Sequence, residues 1–351
     1  MPLPRRSVAS RLFGAALYLT AFALVANIAA AHHSQAAYDT SAQITLTGRV
    51  QSFRWANPHS YIYIEEQGDD GSAVVWELEA TPAALLSRLG WNRDSLAPGD
   101  SVTVLARPPR DAKRKVAFAQ VVTKSDGTVL PVADPAALSR GSDALRFKAN
   151  GLSGTWLTLL NPKVAAPMLQ RPLLLPLTDA ATAAVQGFRV STNPGNECVP
   201  WTAPLLSIFP DIKTITVGDD TVVIRAQSAG LGDVHRTIHL DVTTHEGVPR
   251  SLQGHSIGRW EGDTLIVDTA RFTGHLMGIA NRVPSSEDKH LTERFELNPD
   301  GAGLTYSFAL EDPKYLAEPL IGKVQWAYRP DLKVLSEPCN KEVARHYLND
   351  D

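Results

Sequence analysis

Thr45 to Glu79 reads TLTGRVQSFRWANPHSYIYIEEQGDDGSAVVWELE, and three strand signals lie in it. Thr45–Phe53 (TLTGRVQSF) alternates as a half-buried strand does, Tyr61–Glu65 (YIYIE) follows, and Ala73–Glu79 (AVVWELE) starts beyond the turn signal Gly68-Asp69-Asp70-Gly71. A helix comes next: Thr81 is a plausible N-cap, Pro82 takes the first helical position, Leu85, Leu86 and Leu89 make the apolar stripe, and Gly90 ends it. Pro98-Gly99-Asp100 turns the chain into a strand over Ser101–Ala106, and Val116–Thr123 supplies a fifth. Three strands, a helix, then two strands is the order of an OB-like Greek-key barrel, whose helix plugs the barrel between its third and fourth strands. Another small barrel or sandwich fits the same inventory.

Downstream, 125–151 carries turn formers with Pro131 and Pro135 and reads as a linker. Strand signals return in the region 152–351: Ile212–Val217, Thr221–Ala226, Arg236–Val242, Ser256–Trp260, Thr264–Ala270, Leu291–Leu297, Gly303–Ala309, Gly322–Tyr328 and Lys333–Ser336. Hairpin turns are marked at Gly218-Asp219-Asp220, Glu261-Gly262-Asp263 and Asn298-Pro299-Asp300-Gly301. Consecutive hairpins predict an antiparallel barrel or sandwich, with helices only around Asp179–Gln186 and Lys341–Leu348. The chain is therefore mainly all-β, with an OB-like domain over 32–124 and a second β domain over 152–351.

Upstream, Arg5, Arg6 and Arg11 precede an apolar run, Leu12–Ile28, and the small residues Ala29-Ala30-Ala31. That is the pattern of a signal peptide over 1–31, predicting export to the periplasm and a mature chain starting at His32. An uncleaved anchor is the competing reading, since about 20 uncharged residues just span a bilayer. No second apolar run is long enough for a membrane span.

The sequence has 351 residues, 44% hydrophobic and 20% charged, with 34 Lys+Arg against 37 Asp+Glu. Without a basic stripe, nucleic-acid binding lacks its electrostatic driving force. Two cysteines exclude a disulfide-dense scaffold and a Cys-only metal site. In an oxidising compartment Cys198 and Cys339 are expected to bond, the alternative being two buried thiols.

Cleavage before His32 would place a free α-amine and an imidazole on one residue, with the His33 imidazole beside it. With a third imidazole this becomes a nitrogen donor set suited to copper. His59, in Trp55-Ala56-Asn57-Pro58-His59-Ser60 at the first hairpin end, is the natural third donor; a plain role in bracing that turn is the alternative. Gly254-His255-Ser256-Ile257-Gly258 matches the G-x-S-x-G nucleophile elbow, which needs a helix after the serine. Here a turn and a strand follow, so a Ser256 hydrolase is the weakest reading and no catalytic residue is assigned. His235 and His239 lie on one strand face but about 13 Å apart, too far for one ion. Glu261, Asp263, Asp268, Glu287, Asp288, Glu293 and Asp312 include possible acid/base pairs but receive no role, several falling in turns. Trp156, Trp201, Trp260 and Trp326, with Phe188 and Phe308, are core or the lining of a ligand cavity inside the second barrel.

His32-His33-Ser34, Leu46-Thr47-Gly48, Trp55-Ala56-Asn57-Pro58-His59, and Trp91-Asn92-Arg93-Asp94-Ser95-Leu96 with Pro98-Gly99-Asp100 together resemble an exported proteobacterial family labelled as a domain of unknown function. The resemblance covers about 32–124. Residues 254–265, Thr292-Glu293-Arg294-Phe295 and Asp312-Pro313 look like a second exported β domain. Neither resemblance implies an activity, but the His-first start and the Asn-Pro-His motif agree with a metal site. The expectation is an exported binding protein with copper at His32, His33 and His59, or a non-metal small-ligand carrier or interaction protein with a β-barrel cavity.

Overall fold

Leu46, Val50, Ile62, Ile64 and Leu78 fall at like-facing strand positions and are all at most 4% exposed, so their side chains turn inward to make the first core. A computed structural model describes residues 38–68, 71–132, 145–335, 337–346 and 348. The first five strands are β1 (Ile44–Arg54), β2 (Ser60–Gln67), β3 (Ala73–Ala80), β4 (Ser101–Arg107) and β5 (Val116–Lys124). β1 lies between β2 and β4, and β3 closes on β5 through a parallel pairing of Glu77, Leu78 and Glu79 with Val116, Ala117 and Phe118. That closure, with the helix Ala83–Arg88 between β3 and β4 in the chain, is the predicted OB-like barrel. A short β6 (Val129–Pro131) pairs with β5, and Val132 beyond it is fully buried in the same core. Ala149 packs into the second domain, so the linker expected over 125–151 is narrower at both ends.

The second domain is a closed barrel rather than a sandwich. Its nine strands are β7 (Gly154–Thr158), β8 (Ile212–Val217), β9 (Thr221–Ala226), β10 (Val234–His239), β11 (His255–Glu261), β12 (Thr264–Ala270), β15 (His290–Leu297), β16 (Gly303–Glu311) and β17 (Leu320–Tyr328). All neighbours are antiparallel except β10 and β11, which pair in parallel over Ile238↔Ser256 and His239↔Ile257. Gly258 makes that crossing possible, because a Cβ there would stand 2.7 Å from Ile238 Cγ2 and 2.9 Å from Leu240 Cδ2. The hairpin of β13 (His275–Ala280) and β14 (Val283–Ser285) packs Ile279, Ala280 and Val283 onto the barrel core. No strand forms over 333–335: β17 is already paired on both sides, by β16 and β7, so no edge remains for it.

Several of the aromatic residues considered for a cavity inside the second barrel pack as core. Trp156 and Trp326 are fully buried, Phe295, Tyr306 and Trp326 pack ring against ring at 5.1–5.7 Å, and these side chains fill the axis. Trp260 lies on the outside at 41% exposure.

Two devices join the domains. Arg88 at the end of the first domain's helix reaches Asp211 at 3.2 Å, with both side chains buried, and also donates to Pro210 O. A C-terminal strap, 337–346, crosses back to the first domain, where Val343 packs on Ala56 and Tyr61 and His346 meets Glu77. The expected Cys198–Cys339 disulfide forms, with Cα atoms 5.9 Å apart, and ties the strap to the second domain.

Candidate functional site

The Asn57-Pro58-His59 turn sits where the first domain, the second domain and the strap meet. Its Asn57–Pro58 peptide is cis. Asn57 is fully buried; its Nδ2 donates to Glu337 O at 2.8 Å, and its carbonyl accepts from Asn340 N at 2.9 Å. The turn therefore braces the strap. His59 does something else. Its Nδ1 lies 2.9 Å from Glu79 Oε1 on β3, and Glu79 Oε2 accepts a 2.9 Å hydrogen bond from the Tyr38 hydroxyl. Glu79 is buried while the His59 side chain remains 24% exposed, so a buried carboxylate orients a ring that still faces solvent. Burial, with the Glu79 charge beside it, raises the Tyr38 phenol far above its ordinary range and keeps it a donor. His32 and His33 lie outside the described residues.

His59 opens onto a cavity of about 620 Å³ between the domains. Leu85 and Phe118 of the first domain face Trp201, Phe209 and Leu231 of the second, and Arg110, Arg282, Asn193, Asn196 and Asn281 supply polar groups. Arg282 sits in the β13–β14 turn with φ of 65°, a left-handed conformation, and desolvation lowers its guanidinium pKa. A cavity of this size, with an apolar wall and a few polar groups, has the character of a small-molecule site.

Beneath the Trp201 wall, Lys289 Nζ donates to Thr202 Oγ1, Ala203 O and Gly278 O at 2.6–2.8 Å. Lys213, on the other side, donates to Thr158 Oγ1, Phe209 O and Asp211 O. Burial pushes both ammonium groups down to about 7, opposed by Asp312 and Glu293 at Lys289 and by Asp211 at Lys213. A base depressed in the folded chain binds its proton more readily when unfolded, so stability rises with pH between about 7 and the ordinary lysine value of 10.5. Urea midpoints should therefore climb from pH 7 to pH 9, with a smaller slope in Lys289→Met. A flat profile across that interval would refute the assignment.

Ser256 lies inside the barrel at 1% exposure, bonded to Arg236 Nε and Thr269 Oγ1, both at 3.0 Å. β11 runs on through it to Glu261 and turns directly into β12, without the helix a nucleophile elbow requires. Arg236 donates bidentately to Glu293, which also accepts from the Tyr306 hydroxyl at 2.8 Å. Another of the unassigned acids, Asp268, lies on the outer face of β12 among histidines. His290 and His245 hydrogen bonds hold its carboxyl down at about 2. His290 is raised by its bond to Asp268, and His255 is lowered by burial and then by His245 and His239. Sequence spacing missed this cluster because its members come from four strands and a loop. Among the described residues no three His, Cys, Asp or Glu side chains are already arranged to hold an ion, and no helix is long and apolar enough to cross a membrane.

No curated protein matches the chain. Residues 21–118 match a family described as of unknown function, DUF6152, a span that takes in the His32-His33 pair, the Asn-Pro-His turn and most of the OB-like domain.

Proposed function

We propose that this is an exported, periplasmic binding protein that holds copper through the amino group and imidazole of His32, the imidazole of His33 and the imidazole of His59. The observation that carries this reading is the Tyr38–Glu79–His59 chain of contacts. A buried carboxylate 2.9 Å from one ring nitrogen favours the tautomer with its proton there and leaves the other, Nε2, as the metal donor, the side on which metal-ligating histidines are commonly supported. Chain reach agrees. Tyr38 is pinned to the same carboxylate, and the six steps from His32 to Tyr38 span up to about 20 Å when extended. Amine and imidazole nitrogens suit copper, and the ion would bring redox or Lewis-acid capacity to the mouth of the cleft.

Copper titration followed by electron paramagnetic resonance tests it. The form starting at His32 should bind one equivalent with a nitrogen-rich signal. A form with one extra residue before His32, and His59→Ala, should each bind at least ~100-fold more weakly, each having lost one of four donors. Equal binding by all three forms would remove the proposal.

A second reading has its own support. Arg110 and Arg282 opposite an apolar wall suit a small organic anion with a hydrophobic body. Stabilisation by such carboxylates without metal, alongside unchanged copper binding in His59→Ala, would favour this carrier reading over the first.

A further inference from the structure

The outer face of the second barrel carries a group of imidazoles that the cleft does not use. His239 ends β10, His255 begins β11, Asp268 lies on β12, His290 begins β15, and His245 comes from the β10–β11 connection. Outward alternation on each strand brings them together. His245 Nδ1 and His255 Nδ1 are 2.8 Å apart. His245 Nε2 bonds Asp268 Oδ1 at 2.7 Å, and His290 Nε2 bonds Asp268 Oδ2 at 2.7 Å. The His239 and His245 ring centres lie 5.2 Å and 5.0 Å from that of His255.

We infer that His239, His245 and His255 form a binding site for a divalent transition ion of the zinc class, with Asp268 as the positioning group. Proton logic sets the donors. A carboxylate only accepts, so the neutral His245 imidazole donates from Nε2, which leaves its Nδ1 a bare lone pair. That lone pair points at His255, which supplies the proton in their mutual bond. Moving this proton to Nε2 of His255 turns both Nδ1 atoms into ligands with no net change in charge. The spacing is close to what an ion needs. Two nitrogens on a tetrahedral zinc at 2.0–2.1 Å stand about 3.3 Å apart, and their ring centres about 5 Å apart. The rings already hold that separation, so the two nitrogens need to part by only ~0.5 Å. In this structure two of the donor atoms, His245 Nδ1 and His255 Nδ1, are bonded to each other, and among the described residues no three of the group surround a common point. His290 and Asp268 are more than a third exposed, so an ion can enter from solvent. The Asp268 hydrogen bond to His245 is the outer support that metal-binding histidines use.

Equilibrium dialysis of the exported form against zinc is the test. One equivalent should bind at this face, be lost in His245→Ala and in His255→Ala, and persist in His59→Ala and in His235→Ala, which alters the same outer face away from the cluster. Asp268→Asn should weaken binding by about 10- to 100-fold. If the alanine variants do not fold, imidazole nitrogen resonances of the parent read the same event, with His245 and His255 Nδ1 moving to bound values on zinc addition. Zinc held at full stoichiometry by the His245→Ala/His255→Ala double variant, or no zinc bound and no imidazole shift in the parent, overturns the inference.

Discussion

Glu293→Gln should lower the melting temperature by roughly 6–20 °C, from a loss of about 3–5 kcal/mol at 2–4 °C per kcal/mol for a domain of this size. Glu293 is fully buried and Arg236 is 3% exposed, beside the barrel's aromatic and aliphatic core. The carboxylate accepts two guanidinium bonds and the Tyr306 hydroxyl, while two further Arg236 donors go to Ser256 and Thr269. An amide at 293 keeps the shape but leaves a positive charge sealed in without its counter-charge, and a buried arginine cannot shed its proton. The companion Arg236→Met/Glu293→Leu variant should recover most of the loss, because desolvating both charges offsets much of their attraction. Thermal unfolding of the three proteins decides the matter. A single variant melting within a degree or two of the parent would mean that the pair is not the keystone of the barrel.

The second large effect belongs to Cys198–Cys339. The bridge joins residues 141 apart, a span that the chain-entropy treatment equates with about 5 kcal/mol. Its position adds a local consequence. Cys339 pairs with Asn57 as an isolated bridge, so the same crosslink holds the strap against the Asn-Pro-His turn. Reduction, or Cys198→Ser/Cys339→Ser, should lower the urea midpoint substantially and open residues 330–340 to protease before the rest of the chain unfolds. Identical midpoints and identical digestion with and without reductant would refute this.

Much of the architecture was legible because alternation is strict where a strand has one wet face. β8, β9 and β12 begin and end where their patterns do, and the strand–strand–strand–helix–strand–strand order led directly to the first barrel. The disulfide followed from having only two cysteines in a chain read as exported. Proline-containing segments hid the helical turns at Pro162–Ala165 and Ala166–Gln170; β13 is buried along most of its length and shows no alternation, and β14 has only three residues. Site residues were harder. Glu293 had a usable signal, since it shares its strand face with Leu291 and Phe295, and Arg236 likewise lies between Val234 and Ile238. A charge on an apolar stripe marks a buried pair more reliably than its proximity to a turn. The histidine cluster had no such mark. Its members are neighbours only after the barrel closes, across pairings that span 239 to 290. The expected ligand cavity moved for a related reason. Aromatic residues on the strands met across the axis and filled it, while the space formed where two separately folded surfaces meet.

The strap also sets an order of assembly. Val343 and the backbone around Asn340 complete a surface of the first domain whose other parts, Ala56, Asn57 and Tyr61, leave the ribosome nearly 300 residues sooner. During synthesis or threading through a translocon the first barrel must wait, with that patch uncovered, until the second has emerged. A chain stalled before residue 337 would present the two barrels without the strap contacts that join them.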